Sequence, residues 1–193
     1  MIAGAVLSGG ASRRMGRAKA LIDVGGRAMA DRSLDALRGA GIADVVLVGG
    51  DAEALLGLSA DRIDDRYPGA GPLGGVITAL HHHADASRVV VVSCDLPMLT
   101  ADVIRSLVAE EGEIVVARTD RIEPMCAVWS RELLDQLQTE FDGGARAVHQ
   151  MIAASCCLKK KLWQKNHCYG KRFFKVAVST QNIAPMMLVL LLH

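Results

Sequence analysis

Short runs of consecutive apolar residues alternate along this chain with longer segments in which apolar residues recur every three or four positions. Uninterrupted apolar runs are typical of strands buried on both faces, and the longer spacing is typical of amphipathic helices. The runs predict strands at residues 2–7, 44–48, 62–63, 88–93, 113–117 and 124–129. The spacing predicts helices at residues 28–38, 52–58, 76–83, 100–109, 131–141 and 145–154, with Thr100 as an N-cap.

The order of these elements indicates the fold class. Strands and helices alternate and the strands are wholly apolar, so we predict an α/β protein, a three-layer α/β/α sandwich with a mostly parallel sheet. Because Pro124 has no N–H to donate, we expect the strand at residues 124–129 to lie near an edge of the sheet. Ligands of such sheets bind beyond the carboxyl ends of the strands, so candidate chemistry is expected there.

Length and composition fit one soluble, folded domain. The chain has 193 residues, of which 51% are apolar and 22% charged. Its five cysteines form no CxxC pair and no zinc-ligand spacing, so we predict free thiols in a reducing compartment. Residues 1–7 are too short an apolar stretch for a signal peptide, and residues 186–192 are too short to span a membrane. We therefore expect a cytoplasmic protein without membrane contact.

Charge divides the chain into two unequal parts. Residues 1–142 contain all 21 acidic residues with 14 Lys and Arg, whereas residues 143–193 contain eight Lys and Arg and no acid. Six of the seven lysines and three of the five cysteines also lie beyond residue 154. We predict a domain at residues 1–154 and an atypical tail at residues 155–193, basic at first and then apolar. Basic tails can bind nucleic acid, but the joint change in lysine, cysteine and acid content favours a frameshifted or otherwise altered terminus.

The segment after the first predicted strand combines glycines with a basic cluster. Residues 7–19 read LSGGASRRMGRAK, and glycines let successive backbone N–H groups turn towards an anion. The loop matches neither the Walker A pattern nor GxGxxG. Lys19 is the only lysine among residues 1–158, where the 14 other basic residues are all arginine. This favours a function for its compact ammonium over a solvated turn. The cations suited to phosphate are Arg13, Arg14, Arg17 and Lys19.

Two further loops contain candidate acids. Asp95 follows the strongest predicted strand in the string SCDLP, where a carboxylate is well placed to hold Mg²⁺ together with phosphate oxygens. Its alternative role is to cap the following turn. Residues 64–75 read DDRYPGAGPLGG, a loop rich in Gly and Pro that can approach a ligand closely and still keep one shape. Asp65 in this loop could accept hydrogen bonds from a base or a ribose.

Together these strings resemble the molybdenum cofactor guanylyltransferases. LSGGASRRMGRAK is similar to the N-terminal signature of that family, LAGGxSxRMGxxK, and the resemblance continues through YPGAGPLGG, SCDLP and EPMCAVW over roughly residues 1–154. It implies the Rossmann-like core of the nucleotide-diphospho-sugar transferase type and an Mg²⁺-dependent transfer of GMP from GTP to molybdopterin, with release of pyrophosphate. It implies catalytic roles for Lys19, Asp95 and Arg14, with Asp95 as the metal ligand. The nucleotide-binding residues it implies are Leu7, Ser8, Gly9, Gly10, Lys19, Asp65 and Asp95.

Three interpretations of the function stay open at this point. The first is GTP:molybdopterin guanylyl transfer by a protein that also contacts other proteins of molybdenum cofactor biosynthesis. The second is a relative that uses CTP or a sugar phosphate, although sugar-phosphate members tend to have an AAG-type loop and a proline where this chain has Ala18. The third is a nucleotide-binding protein without catalysis, because the Asn-x-Asn-Thr-Pro-like segment of the family has only a partial counterpart at residues 181–185.

Overall fold

The computed structural model describes residues 1–9, 18–118, 122–152 and 176–179, the last as backbone only. Within these residues seven strands form one sheet, in the order β3-β2-β1-β4-β6-β5-β7. The strands are β1 (Ile2–Leu7), β2 (Val45–Val48), β3 (Asp61–Ile63), β4 (Arg88–Ser93), β5 (Ile114–Arg118), β6 (Ile122–Ser130) and β7 (Val176–Ser179). The helices are α1 (Met29–Gly39), α2 (Ala52–Leu55), α3 (Pro72–His82), α4 (Ala101–Ala109) and α5 (Leu134–Asp142), and residues 148–152 are also helical.

The predicted fold class is confirmed. Parallel pairing joins β1 to β2 and β4, β2 to β3, and β5 to β7, and only β6 in the described sheet runs against its neighbours. One face of the sheet packs against α3 and α5, and the other packs against α1, α2 and α4. The alternation of side chains along β1 shows the division, since Ala5 and Leu7 belong to the first core and Val6 to the second.

The strand order contains a switch point beside β1. From β1 the chain builds outward through β2 to β3, and then crosses to the opposite side of β1 to form β4. The connections that leave β1 and β4 therefore part in opposite directions, which opens a crevice at the carboxyl ends of these two strands. Residues 8–19 follow β1 and residues 94–100 follow β4, so both candidate motifs begin at this crevice.

The edge position predicted for the proline-containing strand is wrong. β6 lies between β4 and β5 and pairs with both of them. Pro124 is accommodated because pairing with β4 ends at Cys126, while the register with β5 shifts by a bulge between Val116 and Ala117. The missing N–H thus falls where neither neighbouring strand requires it.

α3 begins four residues earlier than the sequence predicts, inside the loop rich in Gly and Pro. Pro72 occupies the first turn of the helix, where its missing N–H costs nothing, and Gly71 precedes it with a φ of 92°. Two glycines then allow close packing: a Cβ at Gly74 would lie 2.8 Å from Cβ of Tyr67, and a Cβ at Gly75 would lie 3.1 Å from Leu7. The glycines that suggested a loop therefore serve helix packing.

The other predicted strands and helices are present with changed boundaries, and of the helix predicted at residues 145–154 the described residues 148–152 are helical. Thr100 caps α4 by accepting a hydrogen bond from the N–H of Val103 at 3.5 Å. β7 lies within the stretch predicted as an atypical tail, and its backbone pairs in parallel with β5 at the edge of the sheet. None of the helices in the described residues is both long enough and apolar enough to cross a bilayer. The predicted boundary at residue 154 falls outside the described residues.

Candidate active site

Lys19 and Asp95 meet at the crevice beside β1. The Nζ of Lys19 lies 3.7 Å from Oδ2 of Asp95, although the two residues are 76 positions apart in the chain. Both side chains keep contact with solvent, with exposed fractions of 48% and 35%. An ammonium and a carboxylate that face each other in an open cleft can jointly bind an anion and its metal counterion.

A short anchored turn holds Lys19 in place. Lys19 begins a 3₁₀ turn, Lys19–Leu21, which is closed by the hydrogen bond from the N–H of Ile22 to the carbonyl of Lys19 at 3.1 Å. The next residue, Ala20, is completely buried in the core between the sheet and α1. The backbone of Lys19 is therefore fixed, while its side chain extends into the cleft.

The carboxylate of Asp95 is held by the end of β4. The hydroxyl of Ser93, the last residue of that strand, donates to Oδ1 of Asp95. The buried hydroxyl of Ser33 on α1 in turn donates to the carbonyl of Ser93 at 3.3 Å. Cys94 donates its N–H to the carbonyl of Leu7 at 3.2 Å, which fastens this turn to the end of β1. Asp95 therefore presents its second oxygen, Oδ2, to Lys19.

Ser8 and Gly9 are packed against the turn that follows β2. The N–H groups of Ser8 and Gly9 both donate to the carbonyl of Val48, at 3.0 and 3.1 Å. The buried hydroxyl of Ser8 lies 3.0 Å from the carbonyl of Gly49. The prediction that the amides after β1 turn towards an anion is therefore wrong for these two positions, because strand pairing already uses both donors. Gly10 and Arg14 lie outside the described residues.

Asp65 closes the other side of the same turn. Its Oδ1 accepts a hydrogen bond from the N–H of Tyr67 at 3.0 Å and lies 3.1 Å from the hydroxyl of Thr78, which shares its proton between Asp65 and the carbonyl of Gly74 at 2.9 Å. Thr78 is buried on α3, and its oxygen also accepts the N–H of Arg66 at 3.1 Å. A Cβ built on Gly49 would lie 3.3 Å from Cα of Gly9 and 3.4 Å from Cβ of Asp65. Gly49 is therefore packed between the end of β1 and the Asp65 loop, where a larger side chain would be crowded.

The thiol beside the site is inert. Cys94 is buried, and this burial, with a further contribution from the neighbouring Asp95 carboxylate, raises the pKa of its thiol to about 11. Burial likewise raises the pKa of the Cys126 thiol to about 12. Both cysteines are free, as predicted, and both stay protonated at neutral pH. The other three cysteines lie outside the described residues.

The donor set fits a metal ion that is shared with a ligand. Across the described ranges, no group of three or more His, Cys, Asp and Glu side chains could enclose a metal by itself. Asp95 contributes a single, partly exposed carboxylate, whose Oδ1 accepts from Ser93 and whose Oδ2 faces Lys19. Mg²⁺ is commonly held in this way, by one or two carboxylates together with phosphate oxygens and water.

The sequence of this chain matches a known protein family over most of its length. The family model for the MobA-like NTP transferase domain matches residues 4–157. The chain belongs to the MobA-like NTP transferase family. Membership confirms the family that the sequence strings predicted, and it confirms nucleotidyl transfer as the class of reaction.

Individual relatives agree with this placement. A protein of Opitutus terrae named as a probable molybdenum cofactor guanylyltransferase is 35% identical over 159 residues, which cover 79% of this chain and 78% of that protein. The molybdopterin-guanine dinucleotide biosynthesis protein A of Archaeoglobus fulgidus has a TM-score of 0.65 at 23% identity, over 92% of this chain and 82% of that one. A Mycobacterium tuberculosis protein in complex with manganese has a TM-score of 0.59 at 20% identity, over 92% and 86%. The two structures show that the fold is shared.

Sequence reasoning missed two hydroxyls that contact the candidate acids. Ser93 orients Asp95, and Thr78 orients Asp65. A serine two positions before an acid at a strand end is a local signal that could have found Ser93. Thr78 gives no such signal, because it lies 13 positions after Asp65 and reaches it only through the packing of α3.

Proposed function

We propose that this chain transfers GMP from GTP to the terminal phosphate of molybdopterin and releases pyrophosphate. The observation that carries the proposal is the meeting of Lys19 and Asp95, 3.7 Å apart, at the switch point between β1 and β4. A triphosphate needs a cation to neutralise it and a carboxylate to share its metal ion, and the cleft offers both. The family match and the name of the Opitutus terrae relative support guanylyl transfer as the use of this cleft.

We assign the nucleoside to the surface formed by the end of β1 and the Asp65 loop. Leu7, Ser8 and Gly9 supply its backbone wall, and the close approach of Gly49 to both Gly9 and Asp65 makes the two sides continuous. Guanine carries N–H donors and ribose carries hydroxyl donors, and either can reach a carboxylate oxygen. Oδ2 of Asp65 accepts no hydrogen bond within the described residues, so it remains available to such a donor.

We propose Mg²⁺ as the ion that Asp95 holds. When bound, the ion neutralises charge on the phosphates and polarises them for attack. Oδ2 is the oxygen free to coordinate it, since Oδ1 already accepts the Ser93 hydroxyl. The described residues provide no group of three or more ligating side chains, so phosphate oxygens and water are expected to complete the coordination and the ion is expected to bind together with the nucleotide. The manganese complex of the Mycobacterium tuberculosis protein supports a divalent ion in this fold.

The reaction requires positioning and charge neutralisation more than acid–base chemistry. An oxygen of the molybdopterin phosphate forms a bond to the α-phosphorus of GTP, and the bond from that phosphorus to the β-phosphate oxygen breaks. The bonding electrons leave with pyrophosphate. The attacking phosphate is ionised at neutral pH, so no general base is needed. Lys19 would contact the phosphates and offset the repulsion between the two anions, and Arg14 is proposed to assist it.

The chain divides, in our proposal, into a catalytic domain and a C-terminal segment of different character. We propose that residues 1–154 form the nucleotidyltransferase domain and that residues 155–193 are an altered terminus, part of which pairs with β5 as β7. Contacts with other proteins of molybdenum cofactor biosynthesis and a cytoplasmic location also remain predictions.

The proposed function is tested by asking which nucleotide the folded protein binds and consumes. Thermal-shift measurements with GTP, CTP, ATP and UTP, each with Mg²⁺, should give the largest rise in unfolding temperature for GTP, because a ligand that binds only the folded state stabilises it. Incubation with GTP and molybdopterin should then release pyrophosphate and form the guanine dinucleotide. CTP giving the largest shift and the faster release would indicate the cytidylyl reaction instead. GTP binding without any pyrophosphate release would indicate a protein that has lost catalysis.

A further inference from the structure

The two oxygens of the Asp95 carboxylate have different partners. Oδ1 accepts a hydrogen bond from the hydroxyl of Ser93, whereas Oδ2 faces the ammonium of Lys19 at 3.7 Å. The family match and the names of the relatives do not assign a role to Ser93. A carboxylate on a half-exposed turn can rotate and exchange its oxygens unless a donor holds one of them. Ser93 therefore restricts the rotation of the carboxylate and keeps one oxygen directed towards Lys19.

The backbone of Ser93 is held by the neighbouring strand β1 and by helix α1. Ser93 closes β4, and it is in register with Leu7 on the neighbouring strand β1. Its carbonyl accepts the hydroxyl of Ser33 at 3.3 Å, and Ser33 is completely buried. A donor fixed on strand and helix in this way holds its acceptor more narrowly than a donor on a loop.

The geometry matters because of the ion that Asp95 is proposed to hold. Mg²⁺ requires nearly octahedral coordination with short ligand distances. A ligand oxygen whose position varies therefore lowers the affinity of the site for the ion. Hydrogen bonds from neighbouring groups commonly orient metal-ligating carboxylates, and removing them typically lowers metal affinity or activity by 10- to 100-fold.

We propose that Ser93 is a positioning residue that holds Oδ1 of Asp95 and so directs Oδ2 to the nucleotide-borne divalent ion. The inference rests on the proposed function, because it assumes that Asp95 coordinates this ion. Ser93 itself does not touch substrate, and its effect is expressed through Asp95. Loss of the hydroxyl should therefore change metal affinity and metal dependence more than nucleotide selectivity.

The test compares substitutions that differ in the hydroxyl alone. Threonine keeps the hydroxyl and valine replaces it with a methyl group of nearly the same shape, so Ser93→Thr and Ser93→Val form a matched pair, with Ser93→Ala as the smaller truncation. Ser87→Ala is the control, because Ser87 immediately precedes the opposite end of β4 and donates to the carbonyl of Met1 at 3.0 Å, away from the cleft. Unfolding temperatures establish that each variant is folded.

The readout is Mn²⁺ bound in the presence of α,β-methylene-GTP, measured from the loss of the free-ion signal in electron paramagnetic resonance. We expect Ser93→Val and Ser93→Ala to weaken Mn²⁺ binding by about tenfold, and Ser93→Thr and Ser87→Ala to leave it unchanged. The Mg²⁺ concentration that gives half-maximal turnover should rise in parallel, with the KM for GTP at saturating Mg²⁺ nearly constant.

Two other outcomes are distinguishable. If the parent protein binds Mn²⁺ with the analogue and Ser93→Val binds it equally well, Ser93 has no positioning role, and the inference fails while the proposed function stands. If the parent itself takes up no Mn²⁺ with the analogue, the proposed metal site fails and the inference fails with it.

Discussion

The two acids of the cleft, Asp95 and Asp65, are held in similar ways but face different partners. Each follows a strand, and each receives a hydrogen bond from a hydroxyl, Ser93 for Asp95 and Thr78 for Asp65. The free oxygen of Asp95 faces the Lys19 ammonium, whereas Oδ1 of Asp65 accepts only neutral donors. Asp95 is therefore paired with a charged group, whereas the described partners of Asp65 are uncharged hydrogen-bond donors.

The difference indicates a division of labour within one cleft. A carboxylate next to a cation is suited to hold a metal ion and to share phosphate charge. A carboxylate fixed by an amide and a buried hydroxyl is suited to recognise hydrogen-bond donors such as those of a base or a ribose. Substitutions that remove charge but keep shape should therefore affect Asp95 far more than Asp65.

The largest effect is expected from Asp95→Asn. The amide keeps the shape of the side chain but loses the charge that holds the ion, so the rate of pyrophosphate release at saturating Mg²⁺ should fall about 10³-fold. Stopped-time assays with GTP and molybdopterin measure this rate. The control is Asp102→Asn, because Asp102 is largely exposed on α4 and pairs with Arg105 away from the cleft. A rate near the parent value would remove Asp95 from the metal site.

Thr78→Val should act on stability instead. The valine keeps the shape on α3 but cannot accept the N–H of Arg66 or donate to Asp65, and the loss of these partly buried hydrogen bonds costs about 1 to 2 kcal/mol. Urea denaturation should show a free energy of unfolding lower by about this amount. Thr139→Val is the matched control on α5, where the hydroxyl donates to a carbonyl one turn back and is exposed, and it should cost no more than about 0.5 kcal/mol. Equal effects of the two substitutions would show that the Thr78 network does not hold the loop.

Asp65→Asn separates shape from charge at the second acid. Its amide oxygen can still accept the N–H of Tyr67 and the hydroxyl of Thr78, so the loop should keep its conformation. A hydrogen bond to a neutral acceptor is weaker than one to a charged acceptor, so GTP affinity should fall about tenfold with little change in kcat. Titration calorimetry with the nucleotide and initial-rate kinetics give the two quantities. A loss of kcat comparable to that of Asp95→Asn would contradict the division between the two acids.

The position of Asp95 could be predicted from the sequence more completely than the surroundings of Asp65. The end of β4 could be read from an uninterrupted apolar run, so Asp95 could be assigned to the carboxyl edge of the sheet before its surroundings were known. Lys19 could be assigned to the same edge because the run that forms β1 ends just before its loop. What periodicity could not provide was the strand order that makes β1 and β4 neighbours and brings Lys19 within 3.7 Å of Asp95.

The contacts around Asp65 could not be predicted from local sequence patterns, because packing between distant segments determines them. Glycine normally weakens a helix, so the Gly-rich string that starts α3 predicts a loop. Tertiary packing prevails there, because Gly74 and Gly75 let α3 approach Tyr67 and Leu7. The same holds for Pro124, whose cost in a central strand is avoided by a bulge that only the paired register reveals. Contacts between distant segments decided each of these positions.

The smallest expected effect is the change in the free energy of unfolding when the ion pair between Lys19 and Asp95 is removed. Lys19 and Asp95 are about half and one third exposed, and ion pairs of this kind contribute roughly 0.2–1 kcal/mol to stability. Lys19→Met should therefore leave the free energy of unfolding without nucleotide within about 1 kcal/mol of the parent value, in low and in high salt alike. The same substitution should sharply weaken the thermal shift given by GTP with Mg²⁺, because the triphosphate loses its cation. A fall of more than about 2 kcal/mol in the nucleotide-free protein would mean that the pair is part of the scaffold. In that case its position at the switch point would no longer argue for a phosphate site, because a structural ion pair would account for it equally well.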